Sequence, residues 1–245
     1  MPLSQTFLLD QPERGYRFNV ASLVLVAHVA ELGPAGRVLE VGSGVGLISL
    51  LLSSSGAFGS LEGVEIQPIM HSFSLKNVEY NRGLLRAPVA FHQGDVRAWR
   101  ERWDAGSFQR VIANPPFFKL NQGHPSPDPV NRIARQEVML TSAALLEAAS
   151  GLLAPDGVGA FLYPVQRGFE VAAEAEALGL HVRRRAVRSF VDDPPFLAIV
   201  DVAHRPFEPP PERVRPLTMF DAPHVYQAWL QPWVDLIRKP VASKD

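Results

Sequence analysis

Apolar runs alternate along this chain with short breaks carrying glycine and proline, and the pattern sorts it into strands and helices in turn. Val20 to about Leu32 is apolar on nearly every side, so it reads as a buried helix, entered at Asn19 and ended by Gly33-Pro34. Arg37 to Val41 is a short strand that runs through Gly42, Ser43, Gly44 and Gly46 into an apolar helix beginning at Leu47. A second strand covers Leu61 to Ile66. Pro68 to Arg82 is a helix whose Ile69, Phe73 and Tyr80 form the expected core stripe. Pro88 to His92 and Phe108 to Ala113 supply a third and a fourth strand.

Beyond them, Lys119 to Arg132 holds Pro125, Pro127 and Pro129 with no apolar periodicity and reads as an exposed loop. A helix then runs to about Leu153 and stops at the turn Pro155-Asp156-Gly157, followed by a strand from Val158 to Tyr163 and a helix from Val165 to Leu178. His181 to Phe190 and Phe196 to His204 lie so close together that they form an antiparallel hairpin. Arg183, Arg184, Arg185 and Arg188 on its first strand read as a charged, solvated edge. Proline-rich, irregular chain follows, with Val225 to Leu236 as a closing helix.

Strands alternating with helices predict an α/β fold around a mostly parallel sheet. There is no internal repeat and no sign of a second domain. Residues 1–34 form an N-terminal loop and helix, 35–204 the core, and 205–245 an extension.

Composition narrows the chemistry. With 245 residues, 47% hydrophobic and 20% charged, the chain suits one domain with a sizeable core. It has no cysteine, which excludes disulfides, thiolate nucleophiles and cysteine-ligated zinc. The histidines show no ligand spacing, so no metal is expected. A formal net charge of −1 gives no whole-chain signal for nucleic acid, so any RNA contact must come from a local patch. The longest apolar run falls short of the ~18 residues of a membrane span, and the first residues lack the pattern of a secretory leader. A cytoplasmic protein without membrane contact is the expectation. Nothing in the sequence sets an oligomeric state.

Candidate chemistry collects where strands end. Glycines after the first strand admit a ligand close to the backbone, beside the unpaired N–H groups of a helix start. Glu65, ending the second strand, suits the two hydroxyls of a ribose, and Asp95 in Gly94-Asp95-Val96, after the third, suits a donor such as an adenine amino group. After the fourth strand comes Asn114-Pro115-Pro116-Phe117, a stiff corner that presents an amide, carbonyl oxygens and an aromatic ring to a planar amine. Each has a plainer reading: a tight turn, a solvated carboxylate, a proline turn ending a strand. Four of them in register on successive strand ends favour a nucleoside cofactor with an attached reactive group. The Gly-x-Gly-x-Gly spacing is one residue shorter than the dinucleotide fingerprint, which disfavours a nicotinamide oxidoreductase.

In Glu40-Val41-Gly42-Ser43-Gly44-Val45-Gly46, Glu65, Gly94-Asp95-Val96 and Asn114-Pro115-Pro116-Phe117 the chain resembles the class I S-adenosylmethionine-dependent methyltransferases. The resemblance implies a Rossmann-like fold with a seven-stranded, mostly parallel sheet, one antiparallel strand and helices on both faces. It also implies S-adenosyl-L-methionine as cofactor, leaving as S-adenosyl-L-homocysteine. Glu40 and the backbone of Gly42, Gly44 and Gly46 would serve its methionine portion, Glu65 the ribose, and Asp95 with Val96 the adenine, with Ser43, Ile66, Gly94 and Asn114 as further cofactor contacts.

Within that class the chain is most similar to the bacterial tRNA(Val) adenine-N6 methyltransferases. The marks are Gln11-Pro12, Gly15-Tyr16-Arg17-Phe18, Lys76-Asn77-Val78-Glu79-Tyr80-Asn81, Ala134-Arg135-Gln136-Glu137 and Arg215-Pro216-Leu217. The family carries an acid shortly after the Gly-Tyr-Arg-Phe stretch, where this chain has Ala21. The similarity implies methylation of an adenine N6 amine near a tRNA anticodon, with Asn114, Pro115, Pro116 and Phe117 clamping the base and Lys119, Arg132 and Arg135 as RNA contacts. The rivals are guanine N2 of ribosomal RNA, a protein glutamine amide, and, more remotely, a nucleotide-binding module without catalysis.

Overall fold

Period-two alternation along the strands sends side chains to two opposite faces of one central sheet, and each face carries its own apolar core under helices. The computed structural model of the protein describes residues 6–12, 20–115, 140–208 and 215–237. In chain order these form α1 (Val20–Glu31), β1 (Ala35–Val41), α2 (Leu47–Ser55), β2 (Phe58–Glu65), α3 (Pro68–Asn81) and β3 (Val89–Gln93). A 3-10 turn (Val96–Glu101), β4 (Phe108–Ala113), α4 (Ser142–Leu152), β5 (Leu153–Pro164), α5 (Val165–Ala177), β6 (His181–Arg188) and β7 (Leu197–Ala203) follow. The chain then makes β8 (Leu217–Thr218), β9 (Phe220–Ala222), β10 (Val225–Tyr226) and α6 (Gln231–Asp235).

Among the described residues the main sheet runs β3-β2-β1-β4-β5-β7-β6-β8, and of these strands β7 alone is antiparallel to its neighbours. The α/β architecture expected from the sequence is therefore present, with one strand more than the seven expected: Leu217–Thr218 pairs with Val187 and Arg188 on β6. After β1 the chain moves outward through β2 and β3, then returns to place β4 on the other side of β1. That reversal creates a crevice at the carboxyl ends of β1 and β4, where open α/β sheets bind ligands.

Alternation also decides what faces that crevice. Val38, Leu61 and Ile112 belong to the core under α1 and α2, so Glu40, Glu65 and Asn114, at even steps further along, point to the same side. Helix α1 is buried nearly all round, as its composition requires, and packs on α2, β5 and α6. Its two polar core positions each find a partner, His28 on Asp201 of β7 and Ser22 on Asn114.

Several expectations are corrected. The α3 stripe is Met70, Ser74, Asn77 and Asn81, not Ile69, Phe73 and Tyr80; Ile69 and Tyr80 are exposed and Phe73 is half-buried against the core. The helix turns this polar edge inward because Asn77 and Asn81 bind the N-terminal segment as a neighbouring strand would. Leu8 N–H donates to Asn81 Oδ1 at 2.8 Å and Asn81 Nδ2 donates to the Leu8 carbonyl at 2.7 Å. Asn77 repeats the exchange with Asp10 at 2.7 and 2.9 Å, and its Nδ2 also reaches the Val45 carbonyl at 2.9 Å.

Pro155-Asp156-Gly157 does not separate helix from strand. It bulges inside β5, which already pairs Leu153 with Phe108 before resuming at Val158 with Arg110. The arginines of β6 are not a bare edge, since each has a partner. Arg183 donates to buried Asp201, Arg184 lies 3.9 Å over the Phe169 ring, Arg185 pairs with Glu31, and Arg188 reaches Thr218 Oγ1 at 3.0 Å. Val225 to Leu236 is not one helix: Val225–Tyr226 pairs with β9 and only Gln231–Asp235 is helical, because Trp229 Nε1 and Gln227 N–H tie the intervening chain to Thr218 and Met219. Asn19, Gly15 to Phe18, the loop from Lys119 to Arg132 and the segment Ala134 to Glu137 lie outside the described residues.

Candidate active site

A pocket with a cavity volume of about 50 Å³, open at its mouth, lies at the carboxyl ends of β1 and β4. Ser22 of α1, Glu40, Gly42, Ser43, Gly44, Val45, Leu47, Ile48, Met70 and Asn114 line it. Five sequence candidates, Glu40, Gly42, Ser43, Gly44 and Asn114, are thus brought together. Ser22 and the apolar wall of Leu47, Ile48 and Met70 were not legible as site residues, since they carry no motif and meet the pocket only through helix packing.

The glycine loop holds its shape through its own backbone. Gly42 and Ser43 N–H both donate to the Val64 carbonyl, at 2.8 and 3.2 Å, and Gly46 N–H donates to Ser43 at 2.8 Å. Gly42 sits at φ 69° with nothing within 4 Å of a notional Cβ, so that side of the turn faces open space. Gly46 is required for the opposite reason: a Cβ there would stand 2.5 Å from the Phe91 ring packed beneath the loop, and its φ is 85°. Gly46 shapes the turn from below, not from the pocket side.

Glu65 fastens the loop to β2. Its Oε2 accepts from Gly44 N–H and its Oε1 from Gln67 N–H, both at 2.8 Å. Burial pushes its carboxyl pKa up against these hydrogen bonds. Glu40 does the equivalent for α2, whose N-cap residue, Gly46, has no side chain to offer. Glu40 Oε2 accepts from Ser49 N–H at 3.0 Å and Ser49 Oγ at 2.5 Å, while burial pushes its pKa up to about 8, with Glu65 adding to the rise. Both acids are therefore structural anchors of the loop; Glu40 also lines the pocket, and Glu65 does not.

Two buried polar atoms of residues that line the pocket lack a partner among the described residues: Ser43 Oγ and Asn114 Oδ1. Such orphans are rare and call for a partner from outside the fold, a ligand or a water. Asn114 follows directly on β4, and its Nδ2 donates to Ser22 Oγ at 3.1 Å.

Gly94, Asp95 and Val96 follow β3, two strands out from β1, and do not line this pocket. Asp95 caps the 3-10 turn by accepting from Arg97 N–H at 2.9 Å and is ion-paired with the Arg97 guanidinium, which holds its pKa below the usual range. Val96 points into the core of the opposite face, which leaves its backbone for any ligand. Ile66 follows Glu65 beyond the end of β2 and is half-buried. Pro115 is buried beside Asn114, whereas Pro116, Phe117, Lys119, Arg132 and Arg135 lie outside the described residues.

Sheet order, glycine turn, strand-end acids and the Asn-Pro corner together define a Rossmann-like methyltransferase class. Residues 15–158 match the family model of the methyltransferase small domain, and the chain belongs to that family. Among curated relatives, the tRNA1(Val) (adenine(37)-N6)-methyltransferase of Tolumonas auensis is 29% identical over 210 residues, covering 85% of each chain. The protein of the same name from Trichodesmium erythraeum is 32% identical over 183 residues, 73% of each chain. A solved structure described as a predicted O-methyltransferase from Agrobacterium tumefaciens superposes with a TM-score of 0.64 over 90% of this chain and 99% of its own, at 14% identity, a likeness of fold alone.

The family and fold imply S-adenosylmethionine as methyl donor. The residues present fit it: an open glycine turn, an orphaned Ser43 hydroxyl and buried carboxyl groups at the two neighbouring strand ends.

Proposed function

We propose that this chain is a cytoplasmic S-adenosylmethionine-dependent methyltransferase that modifies the exocyclic N6 amine of an adenine in tRNA, near the anticodon. The observation that carries the reading is the orphaned, buried Asn114 Oδ1, an unpaired acceptor on a residue that lines the same pocket as Glu40 and the glycine turn. The curated relatives named for that reaction span most of the chain and support the choice of substrate.

When bound, the donor supplies a methyl group on a sulfonium, electrophilic enough for a weak nucleophile. Glu40, Gly42, Ser43 and Gly44 hold the methionine portion, Glu65 and Ile66 the ribose, and Gly94, Asp95 and Val96 the adenine. An aromatic amine is a poor nucleophile because its lone pair is delocalised into the ring. Asn114 Oδ1 and the Pro115 carbonyl accept its two N–H bonds, turn the nitrogen toward tetrahedral geometry and aim the lone pair. Phe117 stacks on the base, a contact of ~1–3 kcal/mol. The proton leaves after the nitrogen has become cationic, so no strong general base is needed.

An anticodon loop already presents an unstacked base, which favours it over a duplex that must first be opened. The test is mass spectrometry of nucleosides from total tRNA, ribosomal RNA and protein of cells with and without this chain. Loss of N6-methyladenosine from tRNA alone is expected. Loss of a guanine N2 methyl mark or of methylglutamine instead would overturn the substrate assignment.

A further inference from the structure

We infer that Ser22 is the positioning residue that anchors the Asn114 side chain where the acceptor amine is met; this deepens the reading above and rests on it. Helix α1 is apolar over most of its length, and a hydroxyl buried there requires a partner. Ser22 is 5% exposed, and its Oγ accepts from Asn114 Nδ2 at 3.1 Å across 92 residues of sequence.

A free asparagine side chain samples several rotamers, and a reacting amine needs the amide held in one of them. Here Nδ2 is engaged by Ser22, and Oδ1, buried and without a partner among the described residues, is the atom left for a donor.

The position of Ser22 is itself fixed. Val24, Leu25 and Val26 are wholly buried, and His28 Nε2 meets Asp201 Oδ1 at 2.8 Å, which ties α1 to β7. The hydroxyl therefore reaches Asn114 from a rigid support, and pre-organised geometry of this kind governs how often a reacting group is correctly aimed. Ser22 touches neither reacting atom in this account and acts through Asn114.

A double-mutant cycle and one spectroscopic readout test this. Alanine is the better helix former and leaves no buried hydroxyl, so Ser22→Ala should fold as well as the parent. We expect it to lower the methyl-transfer rate about tenfold with cofactor affinity unchanged, the scale of one lost hydrogen bond, and Ser22→Thr to retain the rate. The double variant Ser22→Ala/Asn114→Ala should be no slower than Asn114→Ala alone. An unchanged rate in Ser22→Ala, or losses that multiply in the double variant, would overturn the role.

Independently of any substrate, exchange of the Asn114 side-chain amide protons with solvent, followed by NMR in the full chain, should be slow in the parent and faster in Ser22→Ala. Identical exchange would overturn the link between the two residues. A parent protein silent toward tRNA would instead sink the adenine reading and leave the amide exchange to judge Ser22.

Discussion

Glu40 at the end of β1 and Ser49 in the first turn of α2 form a closed clasp: one carboxyl oxygen takes both the backbone N–H and the hydroxyl of Ser49. The clasp stands where the glycine turn leaves the helix without a side-chain cap, so it stabilises the turn and the helix start together.

Burial raises the Glu40 pKa from 4.5 to about 8, so the folded protein keeps a proton there that the unfolded chain releases. Its contribution to stability is full below pH 4.5 and is lost as pH rises through 8. Melting temperature should fall across that window, and Glu40→Gln, which keeps an acceptor for Ser49, should flatten the fall. Glu65 contributes in the same direction in both proteins. Parallel curves for parent and variant would rule out Glu40 as the titrating group.

Asn77→Ala removes both hydrogen bonds to the Asp10 backbone and the one to the Val45 carbonyl, with Asn77 wholly buried. Orphaned buried groups cost ~1–3 kcal/mol each, so urea unfolding should show a loss of about 3 kcal/mol. A change within the ~0.5 kcal/mol of a surface substitution would contradict the clamp.

Asp201 is wholly buried between His28 and Arg183. Burial alone would raise its pKa, but the two partners hold it below the ordinary 3.8. This stability is present above pH 3.8 and is lost as pH falls through the lower folded value. His28→Leu leaves one partner, which should cost ~3 kcal/mol and move acid unfolding to higher pH. An acid midpoint that stays in place would show that Arg183 alone sustains the charge.

If Arg132 and Arg135 contact RNA phosphates, reversing both to glutamate should weaken tRNA binding and make the remaining affinity less sensitive to salt, with a shallower slope of affinity against ionic strength. Filter binding at several salt concentrations measures this. An unchanged slope would place the RNA on another face.

What could be read from the sequence was whatever obeys a local rule. The strand–turn–helix opening, the order of strand-end candidates and the β6–β7 hairpin follow from period, glycine spacing and loop length. The inward edge of α3 was misread because Asn77 and Asn81 satisfy backbone groups far away in sequence, which apolar periodicity cannot register. The β6 arginines looked solvated for the same reason, since Asp201, Phe169, Glu31 and Thr218 are neighbours only once folded. Ser22 sits in an ordinary apolar helix, and its role appears only as a distance to Asn114.

The Asn114-Pro115 corner is where these lines meet, and Asn114→Ala tests the central claim most directly. Dissociation of labelled S-adenosylmethionine and single-turnover methylation of tRNA should be measured on the same protein. The account predicts nearly parental cofactor affinity with transfer slowed by ~3 kcal/mol, about a hundredfold or more, the scale of a lost transition-state hydrogen bond. Equal losses of cofactor affinity and transfer rate would contradict it and reduce Asn114 to a cofactor ligand.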